Sequence, residues 1–139
     1  MGNKGKQMKV NVGNGEIQGY LNQPEKLDLN DIEDASCTEI LAPSIVNVIH
    51  YTKIQDILTQ WYAKLRLKGV VILGGYDLVE FSKSVIRYEI SKEEKNSIIA
   101  ASGSFFPLDE ITQLVCMIGF KIKKRQLNGI RYTLELTRE

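Results

Sequence analysis

Gly69-Val70-Val71-Ile72-Leu73-Gly74-Gly75 is the stretch on which the fold turns. Four consecutive apolar residues bounded by glycines have strand length and no alternation, the pattern of a strand buried on both faces in a helix-covered parallel sheet. The segment before it reads as a helix. Ile54, Ile57, Leu58, Trp61 and Leu65 recur at helical spacing; Trp61 belongs to the core, Thr52 and Gln55 form a capping-box pattern, and Gly69 suits a left-handed stop. The segment after it is helical again. Leu78 to Tyr88 is amphipathic with Val79, Val85 and Ile86 among its apolar positions, and Asp77 is placed to cap it rather than to act chemically.

Further out the same alternation continues. Ser91–Ser104 is polar, then small, and reads as a short helix and a loop. Pro107-Leu108-Asp109-Glu110 opens a last helix, with Pro preorganised for its first turn and two acids matching its dipole. Leu108, Ile111, Leu114, Val115 and Ile118 form its buried face, and Gly119 ends it. Residues 120–126 and 130–136 are strands joined at Asn128-Gly129, a strong hairpin signal. On the N-terminal side, Met8–Val12 is a β-prone run entering Gly13-Asn14-Gly15. Residues 19–22 and 26–29 are short strand candidates separated by Pro24, and Thr38–Ala42 is a strand stopped by Pro43. Alternating β and α units imply a parallel sheet with right-handed crossovers, and the hairpin adds an antiparallel strand. Residues 1–7 are expected as a flexible lead-in and 8–139 as one domain.

Composition narrows the function. The 139 residues suit one domain, and 43% apolar with 25% charged residues is ordinary for a globular chain. No apolar run approaches the roughly 20 residues that span a bilayer, and the N-terminal lysines precede no signal-like apolar run. A net charge of +1 argues against nucleic acid as the main partner, and Lys121-Ile122-Lys123-Lys124-Arg125 reads as a solvated strand face. Cys37 and Cys116 lie in apolar stretches, where buried free thiols are the usual reading; with a single histidine, His50, there is little material for a metal site. These counts favour a reducing, cytoplasmic setting. His50 reads as a surface residue before a helix.

Lys9-Val10-Asn11-Val12-Gly13-Asn14-Gly15 followed by Gly19-Tyr20-Leu21-Asn22 resembles the opening of small class I S-adenosylmethionine-dependent methyltransferases: a strand, a G-x-G loop, and a G-[YW]-x-N strand. In order along the chain, Asp28-Leu29 resembles the segment after the family's third strand, and Glu39-Ile40-Leu41-Ala42 its fourth strand. Residues 65–70 resemble the L-x-P-G-G turn, Gly75-Tyr76-Asp77-Leu78 the G-x-D-L after strand five, and Phe106 to Phe120 the last helix and its exit. Each motif alone is weak; their order and spacing carry the resemblance.

The resemblance implies an α/β fold: an abridged class I methyltransferase-like (Rossmann-like) three-layer sandwich, mostly parallel, with a C-terminal antiparallel hairpin and the first helix shortened or lost. It implies S-adenosylmethionine as cofactor, held by Asn11, Gly13, Asn14, Gly15, Gln23, Asp28, Leu29, Ala42 and Pro43. In that reading Gly13 and Gly15 admit the methionine moiety, Asp28 accepts from the adenine amino group, and Leu29 packs on the ring or donates its backbone N–H. Ala42 and Pro43 line the methyl position. Gln23 stands where the family has a ribose-binding acid, with Glu25 two residues on, and the stretch after Ala42 lacks the family's H-x-x-E-H run. Two functions therefore stand: methyl transfer to an unidentified acceptor, with no catalytic base assigned, or an inactive methyltransferase-like domain serving as scaffold or regulatory module. The small size predicts a site open on one side and covered by a partner or by a second copy.

Overall fold

The computed structural model describes residues 8–13, 15–23 and 27–139; the expected flexible lead-in 1–7, Asn14, and Pro24 with Glu25 lie outside the described residues. Strands β1 (Met8–Val12), β2 (Leu21–Gln23), β3 (Cys37–Ala42), β4 (Leu65–Tyr76), β5 (Lys121–Asn128) and β6 (Arg131–Thr137) form one sheet in the order β2-β1-β3-β4-β6-β5. The first four are parallel and β6 is antiparallel to both of its neighbours. Helices are α1 (Ile54–Lys64), α2 (Leu78–Ile86), α3 (Lys92–Ala101) and α4 (Leu108–Ile118).

Register sorts the two faces. Val10, Ile40, Val71 and Leu136 lie side by side across four strands, all fully buried. They pack with Leu58 and Trp61 of α1 and Ile111 and Val115 of α4 in one core. The next row, Lys9, Glu39 and Val70, points the other way, as does Ile72 with Glu135. None of these five is buried. Val70 and Ile72 thus correct the expectation of a strand covered on both faces. The physical reason is handedness: steps from β1 toward β3 and β4 put right-handed crossovers on one face, while the step from β1 to β2 crosses the other. That second crossover is only residues 13–20, whose described residues contain no helix. The abridgement of the sandwich falls on this layer.

Helix ends differ from the sequence reading. Thr52 does not cap α1: its Oγ1 is 2.8 Å from His50 Nδ1, and Lys53 stands at the cap without a side-chain bond. Nor does α1 run to Gly69. It stops at Lys64 because its last carbonyls are taken, Ala63 O by Ala35 N–H (2.9 Å) and Lys64 O by Ser36 N–H (3.0 Å). Arg138 Nη1 donates to the carbonyls of Tyr62 and Leu65 at 3.0 and 2.8 Å. Lys68, at φ 69°, makes the left-handed turn inside β4 instead. Residues 27–29 are not a strand; Leu27 O accepts from Trp61 Nε1 at 2.9 Å, which holds that segment along α1. Cys37 is buried, and burial pushes its thiol pKa up, but Cys116 is exposed on the outer side of α4, against the reading of two buried thiols. On α2 only Phe81 is buried; Val79 and Ile86 face out.

The C-terminal elements match their signals. Gly119 (φ 128°) ends α4, and Gly129 (φ 61°) turns the β5–β6 hairpin. Asp77 caps α2 as read, and does more. Its Oδ2 accepts from Glu80 N–H at 2.8 Å while Oδ1 accepts from Leu108 N–H, the first residue of α4, at 2.6 Å. One buried carboxylate therefore joins the starts of two helices. Asp77→Ala leaves both donors without this acceptor and is expected to cost about 2–3 kcal/mol; urea unfolding measures it, and a loss of only a few tenths would show the clamp to be dispensable.

Candidate functional site

At the carboxyl ends of β1, β2 and β3 stand Val12-Gly13, Gln23 and Ala42-Pro43. Chain order reverses here: from β1 the chain goes to one side for β2, and β3 lies on the other. Such a reversal opens a crevice between the loops, the usual ligand position in open α/β sheets. Gly13 (φ 75°) and Gly15 (φ 70°) both take left-handed backbone that favours glycine. A Cβ on Gly13 would come within 2.7 Å of Ile45 Cδ1, so the loop after β1 lies against the segment after β3. A Cβ on Gly15 would meet nothing within 4 Å; this glycine faces open space.

Asn11 is fully buried and braces the loop. Its Nδ2 donates to Gly15 O (2.5 Å) and to Asn22 Oδ1 (2.7 Å). Asn22 Oδ1 also accepts from Ile17 N–H (2.9 Å), and Asn22 Nδ2 donates to the carbonyls of Ile17 and Tyr20. Two amides thus fix a crossover whose described residues contain no helix. The Asn of the G-Y-x-N motif was visible in the sequence, but its partners were not. Tyr20 adds a strut on the open face: its hydroxyl donates to Glu39 Oε2 at 2.5 Å, with Lys9 Nζ 5.7 Å from the ring centre.

The remaining named residues fall in two places. Ala42 is buried and Pro43 half-buried, with the Pro43 carbonyl so close to Gly74 that a Cβ there has no room. Gln23 is half-buried at the end of β2. Asp28 and Leu29 are held against α1, where the sequence offered no signal: Leu29 N–H donates to Gln60 Oε1 (2.8 Å) and Gln60 Nε2 donates to Asp28 Oδ1 (2.8 Å). Asn14 and Glu25 lie outside the described residues. His50 is exposed, its Nδ1 serving the local turn through Thr52. Among the described residues no group of three or more His, Cys, Asp or Glu could hold a metal ion, and no helix is long and apolar enough to cross a membrane.

Solved structures share this architecture. A SAM-dependent methyltransferase of Archaeoglobus fulgidus superposes with a TM-score of 0.68 at 9% identity, covering 97% of this chain and 87% of that one. The fold is that of the class I methyltransferases. A SAM-dependent methyltransferase of Thermotoga maritima matches with a TM-score of 0.68 at 15% identity, over 95% of this chain and 82% of that one. A Haloferax volcanii protein solved in complex with a methyltransferase activator matches with a TM-score of 0.67 at 8% identity, over 95% and 83%. No family model matches the sequence, and no curated protein does. At these identities the methyltransferase likeness is one of backbone architecture.

Glu39 pushes the Tyr20 pKa up to about 12, first through the hydrogen bond, then through burial and charge. The folded state therefore favours neutral Tyr20. This stabilisation is present in full below the ordinary tyrosine pKa of about 10 and is lost as pH rises through about 12. Tyr20→Phe is expected to be less stable than the native chain near neutral pH and to lose less stability across the alkaline range. Parallel urea titrations from neutral to alkaline pH measure the difference; identical slopes would mean the strut contributes nothing.

Proposed function

We propose that the chain binds S-adenosylmethionine in the crevice at the carboxyl ends of β1, β2 and β3 and transfers its methyl group to an acceptor. The observation that carries this is the reversal of strand order at β1, with a left-handed glycine loop, braced by buried Asn11, lying directly beside it. The residues present fit the cofactor in part. Gly15 leaves room for a ligand to approach backbone and Gln23 offers an amide to a ribose diol, whereas Asp28 and the Leu29 N–H are engaged by Gln60 on the half of α1 that leads toward the amino ends of the strands. Ala42 and Pro43 would line the reacting end without competing polar atoms.

Bound there, the cofactor supplies an electrophilic methyl group on a sulfonium. The chain's part is alignment and exclusion of water, because in-line displacement draws much of its rate from orientation. The rigid β1–β3 crevice, with Ile45 packed on Gly13, is suited to that. No base is assigned. The architecture shared with methyltransferases from three organisms supports the reading. The site is open where the crossover 13–20 is short, which suits a protein partner or a second copy as its cover; the Haloferax protein is one that was solved with an activator.

A second reading, a methyltransferase fold retained as scaffold or regulatory module, draws on Gln23. A neutral amide grips a diol without the charge assistance of an acid. Calorimetric titration with S-adenosylmethionine and S-adenosylhomocysteine separates the two. Micromolar binding to the native chain is expected, falling at least tenfold in Gly15→Phe, whose side chain fills the space before Gly15; circular dichroism would confirm that the variant is folded. Absence of binding at millimolar ligand would overturn the enzyme reading and leave the scaffold.

A further inference from the structure

Arg131 opens β6, directly opposite Tyr76, the last residue of β4. Two bonds beside this pair fix the backbone there: Asp77 N–H donates to Ile130 O at 2.8 Å, and Tyr76 N–H donates to Asn47 Oδ1 at 2.6 Å. The arginine side chain then runs sideways across the sheet. β4 lies between β6 and β3, yet Arg131 Nη2 donates to the hydroxyl of Ser44, just past the end of β3, at 3.3 Å. On the way the guanidinium lies over the Tyr76 ring, 5.1 Å from its centre, and that ring is backed by Phe105 and, behind it, Phe81. A cation is thereby carried to the carboxyl end of β3, beside the Ala42-Pro43 segment.

A guanidinium keeps its charge and presents several N–H donors in one plane. Here one donor goes to Ser44, both residues are exposed, and no carboxylate among the described residues pairs with the guanidinium. Other arginines are spent. Arg125 is paired with Asp109 at 2.6 Å, and Arg138 gives its donors to the carbonyls at the end of α1. We infer that Arg131 and Ser44 hold the methyl acceptor, and that this acceptor is a small acid bound through its carboxylate. Two guanidinium N–H groups match the two planar oxygens of a carboxylate. The Ser44 oxygen accepts from Arg131, which leaves the hydroxyl proton to donate to the same anion. One cation with one hydroxyl suits a single negative charge better than the larger charge of a phosphate. The inference rests on the proposed function, since only a cofactor in the crevice makes this position the acceptor's.

The test titrates benzoate into isotope-labelled protein saturated with S-adenosylhomocysteine and follows the backbone amide resonances of Ser44 and Tyr76. Benzamide supplies the same shape without the charge, and phenyl phosphate a larger charge. Expected is a saturable shift with benzoate in the millimolar range, none with benzamide, and binding about tenfold weaker in Arg131→Gln. The affinity of that variant for S-adenosylhomocysteine stays within about twofold of native. Benzoate binding unchanged in Arg131→Gln, or matched by benzamide, would overturn the inference and reduce the arginine to a strut between β6 and the loop after β3. Tighter binding of phenyl phosphate would overturn the carboxylate. A loss of about tenfold in S-adenosylhomocysteine affinity would assign the guanidinium to the cofactor's own carboxylate and overturn the acceptor site. Failure of the cofactor reading looks different: the native chain then binds no S-adenosylhomocysteine, and the acceptor role falls with it even where benzoate still binds. Arg131→Lys, which keeps the charge without the fork, is measured alongside and is expected to fall between native and Arg131→Gln.

Discussion

The handedness of strand crossovers is the constraint from which the rest of this structure follows. A parallel sheet whose connections are all right-handed distributes them by direction: steps one way across the sheet pass over one face, steps the other way over the opposite face. Here the long connections, carrying α1 and then α2 to α4, run the same way, and α1 and α4 meet in the core cluster on that face. The single step the other way is residues 13–20. One face is therefore a packed interior of Val10, Ile40, Val71, Leu134 and Leu136, and the other carries charges at Lys9, Glu39 and Glu135 beside half-buried Val70 and Ile72.

Amides do the positioning work in two connections of this sheet, one of which contains no helix among its described residues. Asn11 and Asn22 hold the crossover by five hydrogen bonds that include one to each other, and Gln60 holds the segment that leads from β2 to β3. An amide suits both tasks because it donates and accepts from one rigid plane and carries no charge to desolvate. Asn11 in particular could not be replaced by an apolar residue without stranding the Gly15 carbonyl and the Asn22 oxygen together.

Much of the fold was legible in the sequence, and for local reasons. Asp77 before an amphipathic run, Gly119 after another and Asn128-Gly129 between two strands act within a few residues of themselves and as read, while Pro107 stands one residue earlier than read, at the cap of α4 in extended backbone rather than in its first turn. The misreadings share a cause. Thr52 had the right spacing to cap α1, but His50 is its partner. Gly69 had the right place to end α1, but Ala35, Ser36 and Arg138 reach in from distant parts of the chain and take the helix's final carbonyls first. Cys116 sits in an apolar run, but on the side of α4 turned away from the core.

By itself, then, the sequence determined the alternation of strands and helices, the parallel sheet with its terminal hairpin, the glycine loop after β1 and the burial of Trp61. These depend on periodicity, turn chemistry and backbone freedom, which are properties of neighbouring residues. Tertiary structure alone decided which face of Val70–Leu73 is covered, that Asn11 and Asn22 brace one loop, that Asp77 serves two helices, and that Gln60 occupies the pair Asp28 and Leu29. Each of these joins residues far apart in the chain, and a side chain's hydrogen-bonding capacity names its partner's type without naming the partner. Only the path of the backbone, set here by crossover direction and by the short step from β1 to β2, brings one specific partner within reach.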